Sequence, residues 1–183
     1  MILFEELYSL STENHGIITA AAARKMHVHS KDLVRWVKSG RLIHIGYGVY
    51  RTTQYPPSSE DQFAAAVEEV GASAYLCGES VLALHGLAET NANYIHIASP
   101  GRVRRRLPSN YVVTNGAKGY KPEKVRGIRA QSVADAIRSC KGLMMADRLE
   151  NAANEAYRLG LLDKSECASI VKELYHGPKA TKK

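Results

Sequence analysis

Residues 16–51, GIITAAAARKMHVHSKDLVRWVKSGRLIHIGYGVYR, decide the fold. The centre, Ser30 to Gly40, reads as a short helix: Ser30 stands at the expected N-cap, Asp32 lies in the first turn and Gly40 follows the last one. At about 100° per residue Leu33, Trp36 and Val37 fall on one side, with Lys31, Arg35 and Lys38 grouped on the other. One helix thus carries an anchoring face and a cationic face. Before it, Thr19 can cap a helix through Ala20–Met26, whose small side chains let a second helix cross closely. The turn between the two places His27 where a positive φ is expected, a conformation that costs a non-glycine residue some strain. After Gly40, Leu42–Ile45 and Val49–Arg51 are β-type runs around Gly46-Tyr47-Gly48. Two helices and a hairpin in this order spell a winged helix-turn-helix.

The charge pattern gives this unit a direction. Between His15 and Tyr55 stand Arg24, Lys25, Lys31, Arg35, Lys38, Arg41 and Arg51 against a single acid, Asp32. A solvated helix face would explain Lys31, Arg35 and Lys38 alone, but cations concentrated on the two elements that face a duplex point to nucleic acid. The candidate DNA-binding residues are Ser30, Lys31, Arg35, Lys38 and Arg41 on and beside the helix, and His44, Tyr47 and Arg51 on the wing. Arg35 is placed to reach a guanine edge, with Lys31 and Lys38 on phosphates.

The whole chain of 183 residues carries a net charge of +7, which favours a polyanionic partner. Cys77, Cys140 and Cys167 are widely spaced and odd in number, so they form neither a disulfide framework nor a C-x-x-C motif. Acids at Glu5 and Glu6 argue against a signal peptide, and no 18-residue apolar run is present, so a cytoplasmic protein without a membrane partner is expected.

Outward from the winged helix, residues 2–13 read as a first helix with Leu3, Leu7 and Leu10 at helical spacing. Residues 54–59, QYPPSS, form a seam, because paired prolines disfavour helix and the serines offer a cap. This gives a DNA-binding domain at 1–55 and a second domain at 56–183. The second half alternates helices expected at 60–70, 79–86, 132–140, 145–159 and 164–175 with strands at 74–77, 94–98, 110–114 and 125–129, and closes on a basic tail at 176–183. The fold class is α+β: a winged helix followed by a small mixed sheet with C-terminal helices.

The segments Gly16–Thr19, Val37–Leu42 and Gly48–Arg51 resemble the N-terminal winged helix of the AbiEi family of type IV antitoxins and related transcriptional regulators. Downstream, Ser80–Leu87, Ile95–Ile97 with Pro100–Arg106, Gly127–Ala136 and Ala156–Leu162 follow in the same order. The resemblance implies an N-terminal domain that binds operator DNA and represses its own operon. It implies a C-terminal domain that counters a nucleotidyltransferase-type toxin functionally, without tight sequestration. Tyr47 departs from the family's pattern, since a basic residue is common at the wing tip.

A second basic segment follows. From Gly101 to Ala130 there are Arg102, Arg104, Arg105, Arg106, Lys118, Lys121, Lys124, Arg126 and Arg129 against one acid, Glu123. In extended backbone Arg102, Arg104 and Arg106 would share one face, giving either a solvated loop or a phosphate-contacting surface. A protein- or RNA-interaction module built on this segment and the winged helix is the alternative to sequence-specific DNA readout.

No catalytic constellation emerges, so no enzyme activity and no cofactor are expected. Ser80 follows Gly78-Glu79 but lacks the closing glycine of a nucleophile elbow, and reads as a helix-start residue. His27 and His29 lack a Cys or acid spaced for metal ligation, while His85 and His96 sit in apolar runs and read as satisfied core or subsurface histidines. Asp147 and Glu150 read as partners of Lys or Arg rather than Mg²⁺ ligands.

Overall fold

A computed structural model describes residues 2–91 and 93–176 of the chain; most of the expected basic tail, residues 177–183, lies outside them. The chain opens with α1 (Ile2–Thr12), β1 (Ile17–Thr19), α2 (Ala20–Lys25), α3 (Ser30–Lys38), β2 (Leu42–Gly46) and β3 (Val49–Thr52). The three strands form one antiparallel sheet in the order β1-β3-β2. Thr19 caps α2, its hydroxyl accepting the Ala22 amide at 3.0 Å. His27 adopts φ 61°, the left-handed turn between the helices.

The core of this unit explains its helix faces. Phe4, Leu7, Ile18, Ala23, Val28, Leu33, Trp36 and Leu42 are buried together, and the Phe4 ring meets Trp36 edge-on at 5.1 Å. Burying such side chains supplies about 1.5–3 kcal/mol each, more than any cap here. On α1 the structure corrects the expected stripe: Leu7 is buried, but Leu10 is 47% exposed and Phe4 takes the inward place. Phe4, Leu7 and Ser11 share one face at spacings of three and four, and Ser11 is buried by donating to the Tyr8 carbonyl. The cap of α3 is also shifted. His29, not Ser30, is the N-cap, and its amide donates to the Asp32 carboxylate at 3.3 Å.

The remainder comprises α4 (Asp61–Val70), β4 (Tyr75–Leu76), α5 (Glu79–His85), β5 (Ile95–Ser99), β6 (Tyr111–Asn115), β7 (Glu123–Val125), β8 (Ile128–Ala130), α6 (Val133–Ser139), α7 (Ala146–Arg158) and α8 (Lys164–Tyr175). The fold is therefore α+β. The second sheet has the order β6-β5-β4-β8-β7, with β5/β6 and β4/β8 parallel and the other pairs antiparallel. Where the sequence reads as one strand at 125–129, the chain makes a hairpin, β7 and β8, turning at Arg126 (φ 49°) and Gly127 (φ 87°).

Leu76, Ile95, Ile97, Ile128 and Ala130 face a large core shared with α4 to α8, and Ile17 and Val49 of the first sheet belong to it. Apolar burial therefore continues across the seam at 54–59. Tyr75, Cys77 and Ala98 form a smaller cluster closed by Tyr120, whose ring stacks on Tyr75 at 4.8 Å. The three cysteines are buried free thiols, and burial pushes Cys140 up to about 12, so it stays protonated.

Several side chains take partners other than those expected. His85 is not satisfied: its Nε2 is buried without a partner, and burial holds its pKa below the usual value. Ser80 does more than start α5, since its hydroxyl accepts the His96 amide of β5 at 2.8 Å. Glu150 accepts from the Tyr175 hydroxyl at 2.5 Å rather than from a cation. Among the described residues no cluster of three or more His, Cys, Asp or Glu could hold a metal ion. None of their helices is long and apolar enough to cross a membrane.

Candidate nucleic-acid interface

Leu33 and Trp36 root α3 in the first core, which turns its other face outward. Ser30, Lys31, Arg35 and Lys38 are all exposed on it. Arg35 bridges to Asp32 at 2.9 Å, one turn back, yet its side chain remains 71% exposed. Asp32 is 14% exposed but the Arg35 end of the pair lies in solvent, and a pair one helical turn apart contributes about 0.2–0.5 kcal/mol, against about 1–3 kcal/mol for a bidentate contact to guanine. The intrahelical bridge holds the guanidinium ready without committing it. Arg41, just past the helix, is exposed with its guanidinium 5.1 Å above the Phe4 ring.

On the wing the expected residues separate. His44 is exposed and packs beside Tyr50 at 5.1 Å, and Tyr47 stands at the tip, 80% exposed. Arg51 does not join them. Its guanidinium pairs with Asp61 at 2.8 Å and donates to the Tyr55 carbonyl at 3.2 Å, and its side chain is 17% exposed. Burial works to raise the Asp61 pKa, but hydrogen bonds from Ser58 and the Arg51 charge outweigh it and hold the carboxyl below its ordinary value. Arg51 thus ties the wing sheet to α4, and its guanidinium is not presented with His44 and Tyr47.

The wing rests on α4 at a second point. A Cβ on Gly46 would fall 2.5 Å from the Glu69 carboxyl carbon, so a larger residue there would require the Glu69 side chain to move. Burial raises the Glu69 pKa, while a hydrogen bond from the Tyr111 hydroxyl at 3.2 Å and the charge of His44 act the other way.

The second basic segment also divides. Arg126 pairs with Glu60 and donates to the Leu84 carbonyl at 3.0 Å. Arg129 pairs with Glu68 at 2.9 Å and donates to the carbonyls of Ala74 and Gly71. These two are structural. Arg102, Arg104, Arg105, Arg106, Lys118 and Lys121 are exposed. Residues 100–110, which carry the four arginines, are a loop joining the parallel pair β5 and β6, with Val103 and Leu107 packed on the core. That loop reaches the wing, where the Arg105 guanidinium lies 5.5 Å from the centre of the Tyr47 ring. Arg24 of α2, Tyr47 and Arg105 line one cleft of about 250 Å³. No local pattern announces this meeting, because the two segments lie far apart in sequence.

Residues 5–53 match the family described as transcriptional regulator, AbiEi antitoxin. No curated protein matches the chain. Among solved structures, the RV2827C protein from Mycobacterium tuberculosis aligns over 97% of this chain and 83% of its own, at 13% identity and a TM-score of 0.38.

Proposed function

We propose that this chain is a non-enzymatic, DNA-binding transcriptional regulator of the AbiEi antitoxin kind, which represses its own operon and counters a nucleotidyltransferase-type toxin. The observation that carries the reading is α3: Leu33 and Trp36 are buried while Lys31, Arg35 and Lys38 stand exposed together. In a helix-turn-helix the second helix enters the major groove and the first crosses the backbone. On that geometry Arg35 reads a base edge and Lys31 and Lys38 hold phosphates, with Ser30 and Arg41 at the ends of the helix and His44 and Tyr47 on the neighbouring backbone. The match over residues 5–53 supports the same class.

The test uses the full chain and the duplex upstream of its own reading frame. Binding to this duplex at concentrations that leave unrelated DNA free, with repression of a reporter placed behind it, is the expected result. Binding to structured RNA in preference to any duplex would replace this reading with an RNA-interaction module. The antitoxin half is tested by co-expression with a neighbouring nucleotidyltransferase: restored growth without a co-purifying complex is expected, and continued growth arrest would remove that role.

A further inference from the structure

We propose that the arginine loop, residues 101–106, is part of the DNA-contacting wing, with Arg105 supplying the cation that the wing tip lacks. The inference rests on the DNA-binding reading above and extends it to a composite footprint. Tyr47 offers an exposed aromatic face and no charge, and Arg105 covers that face. A cation over an exposed ring is attracted to its electron-rich face, enough to bias where the guanidinium rests while leaving its donors free.

Three further observations orient the loop toward phosphate. Val103 and Leu107 pack on the core, so Arg102, Arg104, Arg105 and Arg106 around them are left outside. Among the described residues none of these four arginines has an acid partner, whereas Arg126 and Arg129 of the same basic segment are both paired. Arg24, on the helix that crosses the backbone in this motif, lines the same cleft as Arg105, and the one acid there, Glu68, is neutralised by Arg129. The partner is therefore the sugar-phosphate backbone of duplex DNA flanking the bases that α3 reads. Planar guanidinium groups suit phosphate, and such interactions add affinity and footprint length without adding base preference.

The experiment measures salt dependence of binding by the full chain on a selected duplex of about 30 base pairs and on the same site trimmed to about 12, roughly one helical turn. The slope of log K against log salt falls by about 0.9 for every phosphate that the protein ceases to neutralise. Replacing Arg102, Arg104, Arg105 and Arg106 together by Ala should lower the slope by about 2–4 on the long duplex and leave the short duplex and the order of base preferences unchanged. If the fourfold variant fails to fold, Arg105→Gln gives the same test, with a drop of about 1. An unchanged slope on the long duplex in folded variants would overturn the composite wing while leaving the α3 reading intact. Failure of the unmodified chain to bind either duplex would overturn both.

Discussion

Arg35 and Lys38 are exposed cations on one helix, yet their chemistry separates them. Arg35 presents a planar fork that matches the two acceptors of guanine; Lys38 offers a mobile point charge suited to phosphate. Arg35→Ala should cost about 1–3 kcal/mol on the preferred duplex and relax base preference, as measured by anisotropy on single-base variants. Lys38→Ala should weaken all sequences alike and reduce the salt slope by about 1. An equal loss on all sequences for Arg35→Ala would remove it from base reading. Asp61 belongs to stability instead. Its folded pKa lies below the ordinary 3.8, so the stabilisation from Arg51 and Ser58 is complete above about pH 4 and is lost as pH falls through the lower folded value. Asp61→Asn should cost about 1–3 kcal/mol at neutral pH, because it strands the partly buried Arg51, and should flatten the acid limb of stability in urea melts. The structural role of Arg51 is invisible in the sequence, since its partner lies beyond the proline seam and nothing local distinguishes it from Arg41.

Among the elements, the β7–β8 hairpin reads in the sequence as one strand, and the reason is chemical. A two-residue turn with positive φ at both positions favours Asn or Asp before Gly, and here Arg126 occupies the first place. Its ion pair with Glu60 and bond to the Leu84 carbonyl, with the His15 ring 2.8 Å from its own carbonyl, supply the restraint that intrinsic propensity does not. Gly127 carries a heavier constraint: a Cβ would sit 2.2 Å from the Glu13 carbonyl oxygen, where backbone meets backbone. Gly127→Ala should therefore lose at least about 2 kcal/mol of stability. Gly119→Ala, at φ +80° with open space around it, should cost only about 1 kcal/mol. Comparable losses in chemical denaturation would show that packing against Glu13 is not the constraint. The winged helix, by contrast, is legible because its signals are local: Thr19 caps, His27 turns, and Leu33 and Trp36 anchor within a few residues of one another.

For the molecule as a whole, Ile17 and Val49 place part of the first sheet in the larger core, and Arg51–Asp61 spans the same junction. The chain should accordingly unfold in one calorimetric transition, and Val49→Ala should lower that single melting temperature. Two separated transitions, with only the first displaced by the substitution, would contradict a shared core. What the sequence could not convey is non-local: the parallel pairing of β5 with β6, and the arrival of Arg105 at Tyr47. That pairing fastens both ends of the arginine-bearing connection through matched residues from Ile95–Tyr111 to Ser99–Asn115. Doubling the length of a flexible connection costs only about 0.6 kcal/mol in closure entropy. On the proposed DNA-binding reading, a longer or shorter connection there would therefore change the length of duplex the chain covers while leaving the base preference set by α3 unchanged.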